Sequence, residues 1–181
     1  GLVTISRASG TCTFPARLML VAAMNPCPCG FLGDKERECS CTPFNVERYM
    51  NKLSGPLLDR IDLHLNVPRI SFEKLTEVQP AESSEVIRTR VEKARDIQKH
   101  RLIDYDIATN AEMSSSLVKK HCELPTDAQK LLQSAVEQMN LSGRAYYRIL
   151  KLSRTIADLD QREKLQLSDV AEALQYRAPT T

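Results

Sequence analysis

Four cysteines crowd one short stretch, at positions 27, 29, 39 and 41, in the pattern C-x-C-x9-C-x-C. A thiolate is a soft ligand, and four of them complete the tetrahedron that Zn2+ prefers, leaving no open position for chemistry. Such a centre is structural: it holds together a segment with little core of its own. The C-x-C pairs are tighter than the common C-x2-C. The spacing therefore leaves open whether one ion takes all of Cys27, Cys29, Cys39 and Cys41, and reduced thiols or disulfides are the alternatives. Two other polar side chains stand at marked positions. Asn25 closes an apolar run just before Pro26; its short amide can orient a water by hydrogen bonding, or simply form an Asn-Pro turn. Arg60, in Leu57-Leu58-Asp59-Arg60, offers a permanent charge and a planar fork of donors, or else an ion pair with Asp59 or Asp62. His64, His100 and His121 show no metal-ligand spacing.

The elements that must position these residues are of two kinds. Leu2 to Phe14 reads as two short strands, Val3-Thr4-Ile5 and Thr11-Cys12-Thr13-Phe14, around an Ala8-Ser9-Gly10 turn with Arg7 near its tip. Leu18 to Ala23 is a continuous apolar run, which predicts a strand buried on both faces and ending at Asn25. Residues 26 to 43 are turn-rich, and Phe44 to Leu53 is helical in pattern. Ile61, Leu63, Leu65 and Val67 alternate with polar residues, which predicts a strand with one buried face. From residue 85 onward the period becomes helical. Glu85 to Arg101 carries Ile87, Val91 and Ala94 on one stripe, and its Arg88, Arg95 and Lys99 read as a salt-bridged, solvated face broken by Glu92. Ser116 to Cys122 makes a short helix. Thr126 with Gln129 makes a capping-box pattern. Ser142 caps a helix running to about Leu159, and Ser168 caps a last one through Tyr176.

Composition excludes some classes. The chain has 25 basic and 23 acidic side chains, a net charge of +2, which neither demands nor forbids nucleic acid. Aromatics are sparse and Trp is absent, so no base-stacking platform is evident. No apolar run reaches membrane-spanning length, and a cytoplasmic location is expected. No G-x-x-x-x-G-K-[ST] occurs, so the chain lacks the loop that cradles phosphates, and no strand ends in an acidic pair suited to Mg2+.

In order stand FPARLMLVAAMNP, CPCG with a later CSC, LSGPLLDRIDLHLNV, SGRAYYRILKLSRTIADL and SDVAEALQYR. This series resembles the magnesium-chelatase-like branch of the AAA+ ATPases, and within it the competence-related ComM/YifB type, over nearly the whole chain. The resemblance implies a mostly helical fold. It consists of an α/β partial AAA+ core over 1–70 (sensor strands, hairpin and a cysteine-rich insert at 26–43), a linker over 71–82 and an all-α helical lid over 83–181. It implies roles as well. Asn25 matches the first sensor, and Arg60 the arginine finger that acts on a neighbour's ATP. Arg144 matches the second sensor, with Arg148 and Arg154 as weaker candidates; for Arg148 a solvated helix face is the better reading. The family forms rings, most often hexamers, and uses ATP and Mg, bound mainly by segments that the resemblance places before Gly1. The 181-residue chain alone is therefore expected to be inactive. DNA is the implied partner, through Arg7 and Arg17, for a motor that drives branch migration or unwinding in natural transformation. A chelatase-type ATPase remodelling a protein partner, and a zinc-stabilised binding module, are the competing readings.

Overall fold

Hydroxyl residues and apolar residues alternate along the first fifteen positions, and the chain there folds back on itself. In the computed structural model, which describes residues 1–16, 18–70 and 81–177, strand β1 (Leu2–Arg7) pairs antiparallel with β2 (Gly10–Pro15). The register sets Thr4 against Thr13 and Ser6 against Thr11, whose hydroxyls bond at 3.1 and 2.7 Å. Val3, Ile5, Cys12 and Phe14 share the other face. Gly10 takes φ +141°, which a side chain would strain, so a two-residue turn closes the hairpin at Arg7 as expected.

The buried strand expected over Leu18 to Ala23 does not form. Leu18, Met19, Leu20 and Val21 are each at least two-thirds exposed in irregular chain. The expected half-buried strand over Ile61 to Val67 is also absent, with Leu63, Leu65 and Val67 exposed. One cause accounts for both. A strand persists only where a neighbour completes its ladder hydrogen bonds. Among the described residues β1 and β2 bond each other and no third strand is present. Helix α1 (Pro43–Met50) follows the cysteine loop, its start fixed by Thr42, whose Oγ1 accepts from Asn45 N at 3.3 Å.

The chain divides into two compact units, Gly1–Lys52 and Leu53–Thr181. The second is helical: α2 (Gly55–Leu58), α3 (Ser84–Leu102), α4 (Ser115–His121), α5 (Thr126–Gln138), α6 (Gly143–Leu159) and α7 (Leu167–Gln175). Helix α6 is its centre and packs on α3, α4 and α7. Ala145, Ile149, Ile156 and Ala157 recur at helical spacing on its buried side, and the last three share a core with Leu102, Val118, Val170 and Ala173. Only the last turns of α3 reach this core, through Ala94, Gln98 and Leu102. Ile87 and Val91, expected on the same stripe, stay about 40% exposed at 41% and 42%.

Ser142 caps α6 as expected, its Oγ accepting from Ala145 N at 3.2 Å. Two other caps differ. Pro125, already extended, is the N-cap of α5, which places Thr126 inside the first turn; Gln129 donates to the Leu124 carbonyl instead. The N-cap of α7 is Gln166, whose N–H is taken by the Asp169 carboxylate at 2.8 Å, so Ser168 lies within the helix. No helix among the described residues is long and apolar enough to cross a membrane.

Candidate functional site

The cysteine loop is built from tight turns. Gly30 N–H donates to the Cys27 carbonyl, and Gly30 and Gly33 take φ of +84° and +81°. Asp34 then accepts from the N–H groups of Glu36 and Arg37, and the Arg37 guanidinium lies 4.0 Å above the Phe31 ring. These turns bring four thiols to one point. Sγ of Cys27 is 3.3 Å from that of Cys29 and 3.7 Å from that of Cys39, and Cys29 is 3.5 Å from Cys39. With Cys41 included, all four sulfurs lie within 4.8 Å of one another.

These separations are too long for disulfides, which need about 2.05 Å. They are close to the edge of a Zn–thiolate tetrahedron, about 3.8 Å for bonds of about 2.3 Å. The crowding also splits the thiols electrostatically. The Phe31 backbone hydrogen bond, helped by the neighbouring sulfurs and opposed by burial, pulls Cys29 down to about 5. For Cys39 the Cys41 backbone hydrogen bond acts downward, but burial and the neighbouring sulfurs outweigh it and hold the thiol up at about 12. Four thiolates at this spacing ionise together only around a cation, so the donor set fits a soft divalent metal.

Asn25 sits two residues before Cys27, exposed, with its amide over the turn: a Cβ placed on Gly30 would lie 3.9 Å from Nδ2. Arg7 is exposed beside the hairpin turn. Arg17 lies outside the described residues.

In the helical unit the four candidate arginines differ in their surroundings. Arg60 is exposed, and its Nη1 donates to the Pro56 carbonyl at 2.6 Å. Its flanking acids are occupied by other residues. Asp59 Oδ1 accepts from Arg177 Nη2 and Asp59 Oδ2 from the Ser142 hydroxyl, both at 3.1 Å. Asp62 pairs with Arg148 at 3.2 Å. Among the described residues Arg60 forms no ion pair with Asp59 or Asp62. Arg144, on the first turn of α6, is exposed and makes no hydrogen bond or ion pair among the described residues. Arg148 is not on a solvated face: it is mostly buried and donates to the Asp59 carbonyl at 2.8 Å. Arg154 is 2% exposed, its Nε on Asp158 and its two Nη atoms on the carbonyls of Glu163 and Arg162. It belongs to the interior.

Comparison with known proteins gives the family. Residues 1–75 match the model for magnesium chelatase, subunit ChlI, and residues 81–177 match that for magnesium chelatase, subunit ChlI C-terminal. The chain belongs to the magnesium-chelatase-like family. It is 42% identical over 180 residues to competence protein ComM of Haemophilus influenzae, covering 98% of this chain and 34% of that one. It is 40% identical to the uncharacterized protein YifB of Escherichia coli over the same shares. It is 34% identical to the uncharacterized protein Rv2897c of Mycobacterium tuberculosis, over 98% of this chain and 35% of the relative. The chain thus spans about a third of the length of these relatives.

Two polar constellations in this magnesium-chelatase-like chain gave no legible sequence signal. Asp158, fully buried, accepts from both Nη atoms of Arg101, from Arg154 Nε and from Asn110 Nδ2, and so ties α3 to α6. Asp59, beside the recognised Arg60, holds three partners from residues 142–177. Both involve partners more than forty residues apart, which no local motif reports.

Proposed function

We propose that this chain is the nucleotide-reading part of a ring ATPase of the AAA+ class, and that in a protein of its relatives' length it drives a DNA motor. Residues 1–70 then belong to the α/β core and residues 83–181 to the lid. Arg60 is the finger offered to a neighbouring protomer in a ring, taken as a hexamer. Asn25 is the first sensor and Arg144 the second. ATP and Mg2+ are held mainly by segments outside this chain, which alone neither binds ATP well nor hydrolyses it. The relative named as a competence protein supports DNA as the substrate, with Arg7 and Arg17 as its contacts and branch migration or unwinding as the work.

The observation that carries this reading is that Arg60 has no acid partner among the described residues. A guanidinium with two adjacent acids ordinarily pairs with one of them. Here both acids are engaged elsewhere, and the charge is left facing outward. A guanidinium so presented is suited to the charge that builds on phosphoryl oxygens in the transition state. Arg144 supports it from the lid: an unpaired cation on the first turn of α6, where a bound triphosphate would also meet free N–H groups.

The cysteine loop has a structural part in this reading. Cys27, Cys29, Cys39 and Cys41 hold Zn2+, which supplies cross-linking and no catalysis because its ligand set is complete. The loop starts two residues after Asn25, so the metal fixes the segment from which the first sensor projects.

The test uses the protein at its relatives' length. Arg60→Ala is expected to lower ATP hydrolysis by about 10³–10⁵ while leaving nucleotide affinity unchanged. Normal hydrolysis by this variant refutes the finger assignment. Branched or forked DNA is expected to stimulate the wild-type ATPase and to be processed by it. If neither occurs, the chelatase-type reading, with a protein partner as substrate, replaces the DNA motor.

A further inference from the structure

The segment carrying Arg60 is fastened to both ends of the region that carries Arg144. Ser54 caps α2 through Leu57 N, and the turn closes with Asp59 N to Gly55 O at 2.8 Å and Arg60 N to Leu57 O at 2.9 Å. Each of the three acceptor oxygens of Asp59 then takes a partner. Its carboxylate takes the Ser142 hydroxyl, which also caps α6, and one Nη of Arg177 beyond the end of α7. Its backbone carbonyl takes Arg148 Nη1, one turn after Arg144 on α6. Asp62 adds a second acceptor for Arg148, and His64 N–H donates to the Tyr176 carbonyl at 2.8 Å.

The Arg177 end of the clamp depends heavily on Asp59. The Arg177 side chain is 5% exposed, and its Nε and Nη1 are buried with no hydrogen-bond partner among the described residues. Asp59 is thus the only carboxylate bonded to this buried cation among the described residues. A buried guanidinium without its carboxylate is strongly disfavoured, so the geometry resists separation of residues 59 and 177.

We propose that Asp59 is a positioning residue that locks the Arg60 turn to the start of α6, so that the lid's response to nucleotide moves the finger offered to the next protomer. The proposal rests on reading Arg60 as the finger and Arg144 as the second sensor. It adds a coupling between them that neither assignment contains. Arg144 touches nucleotide, α6 turns with it, and Ser142, Arg148 and Asp59 carry that rotation to Arg60 through hydrogen bonds rather than through a flexible hinge. The device suits a ring, where the occupancy of one site has to be signalled to the next.

The experiment compares Asp59→Ala, Asp59→Glu, Arg148→Met and Arg60→Ala in the protein at its relatives' length, measuring hydrolysis, nucleotide affinity and amide hydrogen exchange. Asp59→Ala is expected to lower kcat on the order of 10²-fold, the effect of a catalytic group misplaced by about 1 Å. Nucleotide affinity should stay within about twofold, and exchange should rise in residues 55–62 with α3, α4 and α5 unchanged. Asp59→Glu, which keeps the carboxylate, should recover most of kcat. Arg148→Met breaks the clamp from the lid side without stranding a charge, and decides the matter if Asp59→Ala does not fold; it should reproduce the loss of kcat. If Arg60→Ala is inactive while Arg148→Met and any folded Asp59→Ala hydrolyse normally, the coupling is refuted and the finger stands. If Arg60→Ala hydrolyses normally, the finger reading falls and takes the coupling with it.

Discussion

Arg144 and Arg154 lie ten positions apart on one helix in opposite surroundings, one exposed and one buried, so replacing each by a neutral residue should separate them cleanly. Arg154→Leu removes a side chain that is 2% exposed and makes three hydrogen bonds, one to the buried Asp158 carboxylate and two to the carbonyls of Arg162 and Glu163. Those two carbonyls close the loop after α6. Asp158 keeps Arg101 and Asn110 as partners, so its charge is not wholly stranded. Even so, breaking a buried ion pair from one side costs about 3–5 kcal/mol, a large share of the about 5–15 kcal/mol that holds a domain folded. For a helical unit of this size that is a fall in Tm of about 10–20 °C. Arg144→Ala removes an exposed, unpartnered side chain and should stay within about 0.5 kcal/mol of the parent. The assay is thermal and urea unfolding of the 181-residue chain followed by far-ultraviolet circular dichroism. Equal midpoints for the two variants would falsify the separation. A midpoint lowered chiefly by Arg144→Ala would mean that the exposed arginine, not the buried one, supports the fold.

The metal and one histidine give further tests. Protein prepared without a histidine tag should carry about one zinc per chain, and Cys27→Ser should lose it along with the protection of residues 26–42 from proteolysis; zinc well below one equivalent in the parent counts against the centre. His121 should make the helical unit less stable in mild acid. Burial, and then the nearby Lys120, Arg101 and Arg154 charges, push its pKa down, and its Nε2 is buried with no partner. Above the ordinary value of about 6.5 the ring is neutral folded and unfolded alike. As pH falls below that, the unfolded chain takes the proton first, so stability declines. His121→Gln should flatten the stability profile between pH 7 and pH 5.5; an unchanged slope shows that other groups set it.

Local chemistry was legible wherever the partners are close in sequence. The hairpin follows from alternating residues around Gly10, the start of α6 from Ser142, and the candidate metal cluster from the cysteine pairs, although that all four thiols meet needed the fold. The family followed from motifs in their order along the chain. What needed tertiary structure was everything settled by distant partners. Two apolar runs with sound strand patterns, 18–23 and 61–67, form no strands, because a strand is completed by its neighbours and no periodicity within the run supplies them. Three arginines on α6 look alike in sequence. One is exposed, one is clamped by Asp59 from eighty-nine residues away, and one is buried with Asp158, its neighbour one turn on, where Arg101 and Asn110 from distant chain close over the same carboxylate. A charge near a motif is visible in the sequence, but whether its neighbouring acids are already engaged depends on distant groups. For Arg60 that turned on Arg148, Arg177 and Ser142, more than eighty residues away.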